Sequence, residues 1–443
     1  MFSAFQTFGK LGAMASSVAR AWSPLALWPD GIASPGMWID PSLLTASFND
    51  STGTTPVATP GSVADSANPV GLALDIRAGA TVLTDPGNHM LQSTSAARPL
   101  LSARVNLLTY TEDFSDAAWS PGGGGTSVNE NKYTAPDGTL TADEVVAGGS
   151  NASRSQAVVL SAGQHTLTFR VRSGTSTALR FGLNNGGWLT ASSSIVSGSG
   201  SVSGTGLMTV TGLDSNWTVI SLTATATAVS TGFFIYPGPS SQSAGDSIGI
   251  WGAQLNLGST ALPYQRVNTA SDYTATGITP FQLYDGVDDG MATASFAAGT
   301  LINGMDCMIA VRRYSGANCV AGLYNGVADA TKFFGMAESA SGSGCVGSGA
   351  GTPTVWVDNT QLTGGTAVTR GTLHTALTVG DWHILEFRNL DLSAWTAAGF
   401  GLYTSYVFPG ARGDIMLFES TASTEDKDAA RQWLADLYGV TLA

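Results

Sequence analysis

Two periodicities divide the chain. At its start Phe2, Phe5, Phe8, Leu11, Met14, Val18 and Trp22 recur at spacings of three or four, the apolar stripe of one helix. That period returns at the far end, where Ala430, Trp433, Leu434, Leu437 and Tyr438 form a second stripe. Ser423 stands where it can cap this helix, with Asp426 three residues on, and Gly439 stops it. Between the two ends the period is two. In His165–Arg172, Leu167, Phe169 and Val171 face one way while Thr166, Thr168, Arg170 and Arg172 face the other. Alternation this regular predicts a strand with one face in a core and one in water. Trp217–Thr223 and Gly232–Tyr236 belong to the same Ser/Thr/Gly-rich stretch of strands. Shorter apolar runs between Gly, Pro, Asn and Asp predict strands at 37–39, 70–75, 80–83, 281–284, 306–311, 382–387, 401–403 and 413–418. Prolines make Trp22–Pro29 an extended connector. Ser192–Gly206 and Ser339–Thr352, crowded with Gly and Ser, read as loops.

Composition narrows the class. The chain has 443 residues, room for two or three domains. Gly alone accounts for 55, and Gly, Ser and Thr together for roughly a third of the chain. With 43% hydrophobic and 12% charged residues it is neither a disordered chain nor, with lysine only at 10, 132, 332 and 427, a helical bundle. A net charge of −13 argues against binding to phosphate backbones, so no nucleic-acid partner is expected. The N-terminal stripe lacks the early cation and unbroken apolar run of a secretory signal, and no stretch reaches the roughly 20 apolar residues that span a bilayer. No signal peptide and no membrane insertion are expected. The stripe has two readings: a helix packed on its own domain, or one that docks on another subunit. Cys307, Cys319 and Cys345 lack metal-type spacing and read as buried thiols, with a single disulfide left open.

Two longer phrases are more specific. Residues 104–119 (RVNLLTYTEDFSDAAW) and 251–266 (WGAQLNLGSTALPYQR) resemble the two ends of the carbohydrate-binding-module-like sandwich of bacteriophage tail-fibre and other virion proteins. Residues 135–143 (APDGTLTAD) resemble its second strand region. The flanks resemble the concanavalin A-like (laminin-G-like) sandwich common in the same proteins, through 36–40 (GMWID), 48–56 (FNDSTGTTP) and the Asp-Gly turn at 283–290 (LYDGVDDG). The implied fold is all-β: two nested antiparallel β-sandwiches of jelly-roll or concanavalin A-like type, with an N-terminal and a short C-terminal helix. Residues 1–37 form an attachment segment, 38–103 plus 268–443 the outer sandwich, and 104–267 the inserted module.

Candidate chemistry is sparse. A glycosidase needs two carboxylates held about 5–9 Å apart, and the E-x-D-x-x-E strand of concanavalin-type glucanases does not occur. Asp285, Asp288 and Asp289 are turn-forming acids on one reading and calcium ligands on another, calcium being the sole cofactor suggested. His374 and His383 flank a turn and could meet across a hairpin, and His165 reads as a surface imidazole at a strand start. Sugar recognition combines aromatic faces with planar polar groups, which singles out Trp188, Asn184, Arg180 and Tyr236 in the module. Trp119 and Trp251, in its terminal strands, read as core. The expectation is a non-enzymatic virion protein, a tail-fibre, tail-tip or spike component that binds host-surface glycan. The resemblance also implies virion partners held through the N-terminal segment and a homo-oligomer, often threefold. A ligand-free decoration or baseplate scaffold is the alternative, and a glycan depolymerase the third.

Overall fold

The computed structural model describes residues 22–443 apart from 62–63, 78, 161–162, 185–187, 195–198, 204–205, 213–215, 227–229, 240, 270, 327–329 and 364–367. Within strands, the side chains at 183–184, 188–194, 199–203, 206–208, 210–212 and 230–231 also fall outside the description. The N-terminal helix expected from the first stripe lies outside the described residues except for Trp22, whose indole donates to Asp426 Oδ1 at 3.1 Å.

The fold is mostly β. Among the described residues, four antiparallel sheets of five or more strands carry it. The eight-stranded sheet I draws on both ends of the chain, pairing Met37–Ile39 and Leu100–Ser102 with strands between Phe281 and Glu419. The five-stranded sheet II does the same, joining Ser47–Phe48, Leu72–Ala73 and Met90–Leu91 to Met291–Thr293 and Gly399–Phe400. Strands between 120 and 257 form two six-stranded sheets by themselves. Sheet III runs 206–212, 218–226, 163–173, 247–257, 142–147, 126–133, and sheet IV runs 199–203, 188–194, 178–184, 230–236, 153–159, 120–122. Both sheets turn side chains into one core: Leu167, Phe169, Val171, Ile220 and Ile250 from sheet III meet Leu179, Phe181, Phe233 and Ile235 from sheet IV. Sheets III and IV therefore form a sandwich.

Sheet I is apolar on both faces, which is why Met305–Val311 reads as a run rather than an alternation. Cys307, Ile309 and Val311 enter one core, while Met308 and Ala310 enter another, closed by the C-terminal helix Thr424–Tyr438 through Ala430, Leu434 and Tyr438. Ser423 caps that helix as its position suggests, accepting from the Asp426 N–H at 3.0 Å, and Gly439 ends it in the left-handed region at φ +70°.

Several local expectations change. Residues 80–83 form no strand: Val82 is exposed, and Thr81 and Val82 donate their N–H groups to the Asp85 carboxylate, which ties off a turn instead. The Trp22–Pro29 connector contains a 3-10 turn, Pro24–Leu27, because proline at a first helical position gives up an N–H that would have no partner there. The Gly/Ser-rich stretch 192–206 is not a plain loop; Ser194 and Ser199 close a strand pair that extends sheet IV. A seven-residue helix, Arg370–Ala376, capped by the Thr369 hydroxyl, is too short to show a period. The three cysteines are free and buried.

The phrases at 104–119 and 251–266 have a physical job. Gln265 Oε1 accepts from the N–H groups of Val105 and Asn106 at 2.7 and 3.0 Å, and its Nε2 donates to the carbonyls of Ala103 and Thr274 at 2.8 and 3.0 Å. Asn106 answers with Nδ2 on the carbonyls of Ala253 and Gln265, and with Oδ1 accepting from Leu108 and Leu255. Two buried amides thus saturate the backbone where chain enters and leaves the pair of sheets III and IV.

Candidate functional site

The outward face of sheet III is set by its strands' alternation. With Phe169 and Val171 in the core, Arg170 and Arg172 must emerge on the other side, and with Ile248 and Ile250 inside, Gly249 and Trp251 emerge opposite them. The register between strands 163–173 and 247–257 slips after Trp251, where Gly252 sits at φ +63° and adds one residue. This bulge returns Ala253 and Leu255 to the core. A Cβ at Gly252 would press on the Arg170 side chain and the Tyr264 ring, each at 3.4 Å.

The result is a row of guanidinium planes over rings. Arg172 lies 4.3 Å from the Tyr133 ring centre and 5.8 Å from that of Trp217. Arg170 lies 5.7 Å from Trp251 and 4.9 Å from Tyr264. Trp217 and Trp251 are 3% and 5% exposed and form the floor, anchored by indole bonds to Thr134 O at 3.1 Å and Thr141 Oγ1 at 3.0 Å. Tyr133, Tyr264 and both arginines are half-buried and reach the surface. Neither arginine forms an ion pair among the described residues. Arg170 donates to Gly252 O at 3.1 Å, and the buried Nε of Arg172 has no partner.

Two carboxylates border the row. Glu144 accepts from Tyr133 at 3.1 Å, Ser247 at 2.8 Å and Asn129 at 2.9 Å. Partial burial raises its pKa, but those bonds outweigh burial and hold it below the ordinary value. Glu112 accepts from Tyr264 at 3.0 Å, and there burial wins and raises the carboxyl. The face therefore offers charged donors, acceptors and phenols above an apolar floor. Sequence reading placed Trp251 in the core; it is buried, but beneath Arg170 on the outer side. The signal was in the alternation that turned Arg170 and Arg172 outward. Trp119 is in the core as expected, packed 4.7 Å from Phe114.

The residues singled out from sequence sit on sheet IV. Arg180 pairs in register with Tyr236, its guanidinium 4.1 Å from the phenol ring, and donates to Asn151 Oδ1 at 3.0 Å. Asn184 and Trp188 are register partners across the hairpin that follows. Position 180 alternates with Leu179 and Phe181 of the core, so Arg180 lies on the outward side of the sheet. The side chains of Asn184 and Trp188 lie outside the described residues.

Asp285, Asp288 and Asp289 do come together, one oxygen from each within 4.8 Å of the others, and among the described residues they are the group able to hold a cation. Their hydrogen bonds make a turn: Asp285 Oδ1 accepts from Val287 N at 2.7 Å and Asp288 N at 3.3 Å, and Asp289 Oδ2 accepts from Asp285 N at 2.8 Å. Burial, with the charges of Asp285 and Asp288, pushes the Asp289 carboxyl up to about 7. Asp143, pushed up to about 6 by burial, likewise spends its oxygens on the N–H groups of Phe114 and Asn131. Asp289 and Asp143 are thus both committed to backbone N–H groups. His374 and His383 stay apart: His374 Nε2 meets Gly316 O at 3.0 Å, and His383 lies between Asp358 and Thr378. His165 is fully buried rather than a surface imidazole, and its Nδ1 lies 3.2 Å from the Gly163 carbonyl.

No family model and no curated protein matches the sequence. Among solved structures, the chain is similar to the CBM22-1–GH10 modules of Clostridium thermocellum endo-1,4-beta-D-xylanase 10B complexed with xylohexaose. That similarity has 12% identity, a TM-score of 0.22 and coverage of 36% of this chain and 29% of that one. It is also similar to the CBM22-1–CBM22-2 tandem domain of Paenibacillus barcinonensis Xyn10C, at 11% identity, TM-score 0.24 and coverage of 71% and 97%. Scores at this level assign neither fold nor ligand, and the functional reading rests on this chain's own residues.

Proposed function

We propose that the chain is a non-catalytic glycan-binding protein whose site is the outward face of sheet III. The observation that carries this reading is the row Tyr133–Arg172–Trp217 and Arg170–Trp251–Tyr264, bordered by Glu144 and Glu112. Sugar hydroxyls need planar donors and acceptors at fixed spacing, and sugar C–H faces need rings. Arg180 and Tyr236 supply a smaller version of the same pairing on sheet IV. Among the acids with raised pKa, Asp143 and Asp289 spend their oxygens on backbone N–H groups, and the fully buried Asp414 accepts from the Trp38 indole and the Tyr438 hydroxyl, which favours binding over cleavage.

We propose further that residues 104–267 are a module inserted into an outer sandwich of 38–103 plus 268–443, and that the protein belongs to a virion, where it contributes to host adsorption. The phrases at 104–119 and 251–266, now seen as the Asn106–Gln265 clamp, support the first part, and their resemblance to tail-fibre modules supports the second. The scaffold reading draws on one observation: Trp217 and Trp251 are spent as a floor beneath the arginines. A glycan array probed with the full chain, and with a double Arg170→Gln, Arg172→Gln variant, separates the two. Binding that the variant loses supports a lectin-like role; retention of no glycan supports a scaffold.

A further inference from the structure

A cleft of about 300 Å³ opens where sheets III and IV meet sheet I, far along the strands from the arginine row. Its lining combines apolar side chains, among them Val159, Leu257 and Leu283, with His165, Arg104 and Arg312. Arg312 is 3% exposed, yet it forms no ion pair among the described residues. It donates Nε to Gly380 O at 2.7 Å and Nη2 to Leu257 O, which leaves Nη1. Asp65, the acid of the cleft, has one oxygen on Ser102 and the other on Tyr273, each at 2.7 Å, so it does not serve Arg312. Asp381 is the acid whose charge reaches Arg312, but its oxygens are taken by Ser259 and Thr378, and a buried guanidinium with no carboxylate in contact is costly.

His165 adds a second unmet need. Its Nδ1 lies 3.2 Å from the Gly163 carbonyl, an oxygen that can only accept, so Nδ1 carries the proton. Burial, together with the charge of Arg312, keeps the ring neutral. Nε2 is then a buried acceptor, and it has no donor. One small cavity thus brings together a guanidinium without an ion pair, a ring nitrogen without a donor, and the apolar side chains of Val159, Leu257 and Leu283.

We propose that this cleft binds a small hydroxylated carboxylate of the size of one hexuronic acid, its carboxylate on Arg312, a hydroxyl donating to His165 Nε2 and its C–H face on Val159, Leu257 and Leu283. The site is separate from the sheet III face and does not depend on it. The test titrates the full chain with D-glucuronate, D-glucose and propionate, read by calorimetry. Glucuronate is expected to bind, with glucose and propionate each at least about tenfold weaker, since each lacks one of the two polar partners. Val159→Glu sets a negative charge at the mouth on a residue that is 76% exposed, so folding tolerates it; glucuronate binding should fall by at least about tenfold while the melting temperature holds. Absence of glucuronate binding, equal binding of glucose, or unchanged affinity in the Val159→Glu chain would each overturn the proposal.

Discussion

Asp289 shows how one buried acid shapes stability. The unfolded chain releases this proton near the ordinary value of 3.8, whereas the folded chain holds it until about 7. Between those values the native state binds more protons, so its stability falls as pH rises through that window and the loss is complete above it. Asp289→Asn keeps an oxygen for the Asp285 N–H and removes the titration. Its urea midpoint should therefore decline less than the parent's between pH 4 and pH 7; parallel profiles would show that Asp289 is not the group responsible. Gln265 is the opposite kind of residue, neutral, buried and fully bonded. Gln265→Ala strands two N–H groups and two carbonyls and should cost about 2–4 kcal/mol in chemical denaturation. A loss under about 1 kcal/mol would mean that water replaces the clamp. Neither role was visible in the sequence. Asp289 reads as a turn acid, which it is, but its burial depends on sheet packing; Gln265 bonds residues about 160 positions away, and no local pattern encodes that.

At the scale of elements, the pattern of apolar positions found the strands around 165–172, 217–223, 306–311, 382–387 and 413–418 and the C-terminal helix, because each has an inner face that a core must cover. It failed where the core does not set the pattern. The strand pair through Ser194 and Ser199 has a composition that reads as loop, and the helix Arg370–Ala376 spans only two turns. Val82 sits in a run that looks like a strand, but Asp85 captures the N–H groups a neighbouring strand would need. The cap at Ser423 was legible because it is local: its hydroxyl satisfies an N–H three residues on. Ser423→Ala should cost about 1 kcal/mol in thermal or chemical unfolding, with the change concentrated in amide exchange at the helix start. Equal protection in parent and variant would indicate that Trp22 and Lys427, which bonds Ser420 O, hold that end instead.

Across the whole molecule, two sets of sheets meet at a narrow seam. Gly258 at φ +102° and Gly380 at φ +95° lie back to back, so close that a Cβ on Gly258 would stand 2.5 Å from Gly380 O. Ser259 adds bonds from its N–H and hydroxyl to Asp381 Oδ1 at 2.9 and 3.1 Å. Among the described residues, sheets III and IV share a core that draws on positions 108 to 255, and the insertion reading predicts that residues 104–267 expressed alone unfold in one cooperative transition. A chain segment with no such transition would contradict it.

The proposed site was half legible in the sequence. Sequence alone pointed to aromatic and planar polar groups on the module and chose sheet IV, where Arg180 does stack on Tyr236. It passed over sheet III, although the outward turn of Arg170 and Arg172 was already in the alternation, because the rings that complete the row come from four separate strands or loops.

The arginine row on sheet III carries the proposed glycan binding. Equilibrium titration of a glycan retained on the array, with the full chain and with Arg172→Gln and Arg180→Gln variants, tests it most directly. Loss of the Arg172 charge over two rings should weaken binding by about tenfold or more, with Arg180→Gln much less affected and all three proteins melting alike. Unchanged affinity in the Arg172→Gln chain would contradict the assignment of the site to sheet III.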